Sequence, residues 1–145
     1  MTTQQVELIK ASWKIIRVKQ PELIGDAFYT KLFVEAPHLG QLFTSPRMDQ
    51  AKKLVMTLGV VVGQLDKLDE ISPAIEQLAI RHLDYGVKEE HYELVGTTLL
   101  WALEKLLGEA WNEQLANAWA TCYGILSQKM IRAAYTKTKQ EQIII

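Results

Sequence analysis

Apolar residues recur at spacings of three and four from one end of the chain to the other, and Pro and Gly punctuate the runs. In "TTQQVELIKASWKII", Val6, Ile9, Trp13 and Ile16 share a helical face, and Thr2 with Gln5 has the form of a capping box. Pro21 suits the first turn of a second helix, "PELIGDAFYTKLFVEA", which Pro37 ends by Ala36. The connector "PHLGQLF" has room for a turn or two. Ser45 and Pro46 make a cap-and-start pair for a third helix through about Lys67, striped by Leu54, Leu58, Val61 and Leu65. Ser72 and Pro73 repeat the device for a fourth, and Gly86 ends it as a C-cap glycine would.

Two further stripes follow. "HYELVGTTLLWALEKLLG" aligns Tyr92, Val95, Leu99, Ala102 and Leu106 and stops at Gly108, and "NEQLANAWATCYGILSQKMIRAAY" aligns Leu115, Trp119, Cys122, Leu126 and Met130. The tail "TKTKQEQIII", residues 136–145, is short and polar, and disorder is expected there. The pattern predicts an all-α fold with one domain over residues 1–135.

At 145 residues the chain can bury a full core or wrap a small cofactor. An apolar fraction of 48% with 23% charged is ordinary for a globular protein. A formal charge of -1 offers no electrostatic footprint for nucleic acid or an anionic membrane. The single cysteine, Cys122, excludes an internal disulfide and a Cys-based zinc site. The start "MTTQQVELIK" lacks the form of a signal peptide, and the apolar run "LVMTLGVVVGQL" is too short to span a bilayer. A soluble cytoplasmic protein is expected.

Of the three histidines, only His82 lies in line with an apolar stripe, behind Ile75, Leu78 and Ala79. His38 falls in a connector and His91 at a helix start. An imidazole on such a face needs a hydrogen-bond partner or a metal. A helix can offer imidazole to haem iron from one side, and the other side then needs its own wall. Gln50 stands four residues before Leu54 on one face of the third helix, and Tyr29 lies between Phe28 and Leu32 in a run fit for the interior. Taken singly, each has a structural reading: His82 bonded to a carbonyl, Tyr29 as a core tyrosine, Gln50 as a solvated helix residue.

Taken together, "FYTKLFVEAPHLGQLF", "QAKKLVM", "RHLDYGVKEEHYELVG" and "AWATCYGIL" resemble the globin family in order and spacing. Within it, the chain is similar to the single-domain bacterial globins related to the haem domain of flavohaemoglobins, the Hell's Gate type among them. The resemblance reaches to about Tyr135. It implies a three-over-three helical sandwich around haem b, with His82 as proximal ligand and its other ring nitrogen donating to the Leu78 carbonyl. It makes Phe43 the aromatic packed on the haem face, Tyr29 and Gln50 the distal pair, and Leu54 the apolar residue over the iron. Leu78, Val87, Val95 and Leu126 complete the apolar contacts, Lys53 and Arg81 are the implied partners of the haem propionates, and Gly25 faces Ala51 at a close helix crossing.

Two departures qualify it. Flavohaemoglobins pair the proximal histidine with a tyrosine and a glutamate. Tyr92 fits the tyrosine, but Ala134 and Thr136 stand near where the glutamate belongs. No glycine-rich dinucleotide fingerprint occurs in the chain, so reduction is expected to need a separate reductase.

The implied activity is reversible, tight binding of dioxygen at five-coordinate iron, with carbon monoxide and nitric oxide as other diatomic ligands. Bound dioxygen carries partial negative charge, so donors aimed at it make charge-assisted hydrogen bonds and slow its release. That favours oxygen scavenging or nitric oxide detoxification over oxygen transport. The alternatives are a nitric oxide dioxygenase served by the separate reductase, a haem-based gas sensor acting through a partner, and a helical interaction module without haem.

Overall fold

The computed structural model describes residues 1–19, 21–43 and 45–144, with residues 136–144 described by their backbone alone. Six α-helices carry it: α1 (Thr3–Val18), α2 (Glu22–Glu35), α3 (Arg47–Gly63), α4 (Ser72–Asp84), α5 (His91–Leu107) and α6 (Glu113–Ile144). Short 3-10 turns at Pro37–Leu42, Leu65–Ile71 and Gly108–Ala110 join some of them. No strand occurs among the described residues.

The predicted start of α1 is realised. Thr2 accepts from the Gln5 backbone N–H at 3.1 Å while Gln5 Oε1 accepts from the Thr2 N–H at 3.0 Å, satisfying two otherwise orphaned donors. The helix buries Ile9, Ser12, Trp13 and Ile16. Ser12 tolerates the core because its hydroxyl donates to the Ile9 carbonyl and accepts from Trp119 Nε1 at 3.0 Å. That bond, with Trp13 tilted against Trp119 at 6.4 Å, locks α1 to α6.

The middle of the bundle is built on α2, which packs against α3 on one side and α5 on the other, while α4 lies along α6. The α2–α3 approach depends on one glycine: a Cβ at Gly25 would sit 2.5 Å from Ala51 Cβ and 2.6 Å from its Cα. Only a hydrogen fits there, as the family resemblance implies. The core runs from Ile9 and Ile16 through Ile24, Phe28, Leu32, Leu58 and Val61 to Leu99, Leu103, Leu115 and Trp119.

Several boundaries differ from expectation, each for a local reason. Pro46 is the N-cap of α3 rather than its first residue, since its ψ of 145° is extended, and no side chain among the described residues caps that end. Ser72 opens α4 from inside, and its hydroxyl bonds back to the Leu68 carbonyl instead of capping forward. The third helix stops at Gly63, short of Lys67. Gln64 and Lys67 leave helical geometry as the chain bends to bury Leu65. At the far end, α6 does not break at Tyr135 into an irregular tail. It continues to Ile144, with no Pro or Gly after Gly124 to interrupt the backbone ladder. Gly86 and Gly108 take positive φ, 93° and 54°, and close α4 and α5 as their positions predict.

Candidate functional site

α4 delivers His82 near its C-terminal end, on the side where Ile75 and Ala79 are buried. The imidazole is half-buried, and its Nδ1 lies 2.8 Å from the Leu78 carbonyl oxygen one turn earlier. Nδ1 must carry the proton to make this bond, so Nε2 keeps its lone pair. Burial pushes the pKa of His82 below its ordinary value. The Leu78 bond pulls the other way, and the Arg81 charge adds to the lowering. The ring is held neutral with one nitrogen anchored and the other free to act as a base or a metal ligand. The turn beyond is tied to the same residue, since the Val87 N–H donates to the His82 carbonyl at 3.0 Å.

α2 contributes the aromatic part. Tyr29 is buried and meets Phe28 edge-on at 4.9 Å, Phe43 edge-on at 5.3 Å and Phe33 at 5.9 Å. Phe33 and Phe43 also pack edge-on, at 5.5 Å. Desolvation pushes the Tyr29 phenol up to about 12, so the group is a hydrogen-bond donor throughout the neutral range.

A cavity of about 80 Å³ opens beside this cluster, lined by Tyr29, Phe33, Gly40, Phe43, Ser45, Arg47 and Gln50. Three expected site residues, Tyr29, Phe43 and Gln50, therefore share one space. Leu54 lies one turn beyond Gln50 on α3, partly buried against the core, and does not line that cavity. Neither does His82.

The remaining expected residues are spread more widely. Leu78 is half-buried and acts through its carbonyl. Val87 is half-buried, and Val95 and Leu126 are partly buried against the core. Lys53 and Arg81 are exposed. Tyr92 is buried, and desolvation pushes its phenol to about 12, with Tyr135 adding to the rise. Its backbone carbonyl accepts the Tyr123 hydroxyl at 2.6 Å, beneath Gly96, where a Cβ would strike the Tyr123 ring at 2.6 Å. Ala134, near the position expected for a carboxylate, is buried, and the side chain of Thr136 lies outside the described residues.

Arg47, Phe33 and Ser45 were not anticipated. Phe33 could have been found, since it follows Tyr29 by one helical turn and shares its face. Arg47 could not, because its role depends on a partner on another helix.

A model of the globin family matches residues 26–130. This chain is a globin. The flavohemoprotein of Bordetella parapertussis is 32% identical over 134 residues, covering 88% of this chain and 33% of that longer protein. Flavohemoprotein A of Dictyostelium discoideum is 31% identical over 148 residues, covering 99% of this chain and 36% of its own. The globin thus spans about a third of the length of these relatives. A bacterial globin from Campylobacter jejuni superposes with a TM-score of 0.85 at 28% identity, covering 95% of this chain and 99% of that one. The all-α architecture is accordingly the globin fold.

As a globin the protein binds haem, and the donor chemistry at His82 fits that group. A neutral, half-buried imidazole anchored through Nδ1 presents Nε2 as an axial ligand would. No cluster of three or more His, Cys, Asp or Glu able to hold a bare metal ion exists among the described residues, and no helix among them is long and apolar enough to cross a membrane.

Proposed function

We propose that this globin binds dioxygen reversibly and tightly at five-coordinate haem b, with His82 as axial ligand and Tyr29 and Gln50 as donors to the gas. The observation that supports this reading is the single cavity shared by a buried, protonated tyrosine, an amide and an aromatic wall. Haem supplies the iron at which the gas is held; the chain supplies everything that discriminates between gases. Tyr29 and Gln50 offer donors to a ligand that carries partial negative charge, and Phe43 with Phe33 excludes water from it. Leu54 stands as the apolar residue over the ligand, and Leu78, Val87, Tyr92, Val95 and Leu126 as haem contacts. Lys53 and Arg81 are the propionate partners. The proposed setting is the cytoplasm, and the proposed role is oxygen scavenging or nitric oxide detoxification, since slow release suits neither delivery nor transport.

A second reading follows from the relatives, whose name joins a flavin to a haem and whose length is about three times the matched region. In it the globin oxidises nitric oxide to nitrate: one nitric oxide, one dioxygen and one electron give one nitrate, the electron coming from a separate reductase. Ala134, buried where a carboxylate would strengthen the axial imidazole, weighs against peroxidase-like chemistry. The deciding experiment measures nitric oxide consumption and nitrate formation by the haem-loaded protein with and without an added flavin reductase. Stoichiometric reaction that stops after one turnover supports binding alone, and sustained turnover with the reductase supports the dioxygenase.

A further inference from the structure

Arg47 is the first residue of α3, and its guanidinium reaches across to α2. Its Nη2 donates to the Asp26 carbonyl oxygen at 3.0 Å, lies 3.1 Å from the Asp26 carboxylate and also bonds the Thr30 hydroxyl. Asp26 and Thr30 flank Tyr29 on α2, one a turn before it and the other next in sequence. Arg47 precedes Gln50 by one turn on α3 and lines the same cavity.

We propose that Arg47 is a positioning residue for the gas-binding pair: its guanidinium ties the first turn of α3 to α2 and so sets how far the Gln50 amide stands from the Tyr29 hydroxyl. This rests on the reading of Tyr29 and Gln50 as the donors.

The first turn of α3 needs such a tie. Among the described residues no side chain caps it, and Arg47, Met48 and Asp49 are all exposed. The first apolar anchor is the Ala51 contact with Gly25, which pins the crossing point but leaves the preceding turn free to swing about it. Arg47 closes that freedom from the far side of Gln50. All three contacts are made at one nitrogen, Nη2, at the far end of the guanidinium, and the shorter side chain of a lysine would carry its ammonium less far toward α2. Because the Arg47 and Asp26 side chains are 47% and 68% exposed, the pair adds little to global stability. Its effect is on geometry.

The test measures oxygen and carbon monoxide dissociation from the haem-loaded protein for the wild type, Arg47→Gln, Arg47→Lys, Asp26→Asn, Tyr29→Phe, Gln50→Leu and the Arg47→Gln/Gln50→Leu pair. Amide hydrogen exchange is followed in both apo and haem-loaded forms. Arg47→Gln and Asp26→Asn should speed oxygen dissociation about threefold or more and leave carbon monoxide nearly unchanged, with Arg47→Lys in between. The double variant should release oxygen no faster than Gln50→Leu alone, because Arg47 acts through Gln50. Exchange over residues 50–54 should quicken in Arg47→Gln, apo form included, while α5 and α6 stay protected. Wild-type oxygen release in Arg47→Gln, effects that multiply in the double variant, or unchanged exchange over 50–54 would each overturn the proposal. If neither Tyr29→Phe nor Gln50→Leu alters oxygen release, the donor reading falls and takes this proposal with it. Sensitivity to those two with none to Arg47→Gln sinks the proposal alone.

Discussion

The Nδ1 nitrogen of His82 lies 2.8 Å from the carbonyl oxygen of Leu78, one turn back on the same helix. This bond fixes the tautomer and the plane of the ring at once, leaving Nε2 as the free lone pair. His82→Ala should therefore lose most haem during purification or hold it with an altered Soret band. His38→Ala and His91→Ala should keep the wild-type spectrum, although His91 has its own bond, accepting at Nδ1 from the Lys88 N–H at 3.0 Å. Haem loss in His91→Ala with a normal spectrum in His82→Ala would reverse the assignment.

The same burial makes His82 a stability group with a definite sign. Its folded pKa lies below the ordinary 6.5, chiefly through desolvation. The unfolded chain therefore binds a proton more readily than the folded one, so the contribution is fully present above about 6.5 and is lost as pH falls through the folded value. Urea midpoints of the apoprotein from pH 8 to pH 5 should drop more steeply for the wild type than for His82→Phe. Parallel curves would show that His82 is not the group responsible.

At the α2–α3 crossing, Gly25→Ala should cost about 1–3 kcal/mol, because the new Cβ would meet the Ala51 Cβ at 2.5 Å and its Cα at 2.6 Å, and backbone cannot swing aside. A melting point several degrees lower is expected, with faster oxygen release as Gln50 is pushed from Tyr29. Gly25→Ala combined with Ala51→Gly should recover only a small part of either, because the backbone Cα at position 51 still stands 2.6 Å from the new Cβ. A stable, unaltered Gly25→Ala protein would mean that the two helices can separate freely.

How much of this was legible in the sequence depends on the kind of interaction. The stripes on α1 and α3 show through because burial imposes a helical period, and Ile9, Trp13, Ile16, Leu58 and Val61 are buried as their spacing required. The Gly25–Ala51 contact was legible only through the family resemblance, since a glycine in a helix is ambiguous by itself. The Ser–Pro pairs at Ser45–Pro46 and Ser72–Pro73 do not mark the boundaries they suggest, because Pro46 stands outside α3 and the Ser72 hydroxyl bonds backward to the Leu68 carbonyl. The reach of α6 to Ile144 has no apolar stripe to mark it, because polar residues such as Lys and Gln are good helix formers and can carry a helix on without one. The Arg47 bridge to Asp26 and Thr30 was invisible for a deeper reason: it is a tertiary contact between charged, exposed residues, and no periodicity marks it.

The proposed five-coordinate iron rests on the weakness of the other ligands near the cavity. Burial holds the Tyr29 phenol up to about 12, so no phenolate is available near neutrality, and a glutamine amide is a weak ligand for ferrous iron. Lys53 is exposed, and an ammonium must lose its proton before it can bind. The ferrous protein without gas should be high-spin and five-coordinate at pH 7. A low-spin, six-coordinate spectrum would place another residue at the sixth position.

Tyr29 separates this pocket from a merely apolar one. Tyr29→Phe keeps the ring and its edge-on contacts with Phe28 and Phe43, so the fold should hold while the donor disappears. A hydrogen bond to a charged acceptor contributes roughly 1.5–3 kcal/mol, which is about ten- to a hundredfold in affinity. The loss should fall mainly on oxygen dissociation, because association is complete before the bond forms. Carbon monoxide, with little charge to stabilise, should leave at nearly the wild-type rate. The pH profile provides a second check: a raised phenol pKa keeps the donor intact beyond the ordinary 10.0 and loses it only as pH climbs toward about 12. Oxygen dissociation in the wild type should thus stay flat from pH 7 to 10, and Tyr29→Phe should be fast across the whole range. Stopped-flow off-rates for both gases decide it: if oxygen leaves Tyr29→Phe as slowly as the wild type, Tyr29 is core packing and the donor mechanism fails.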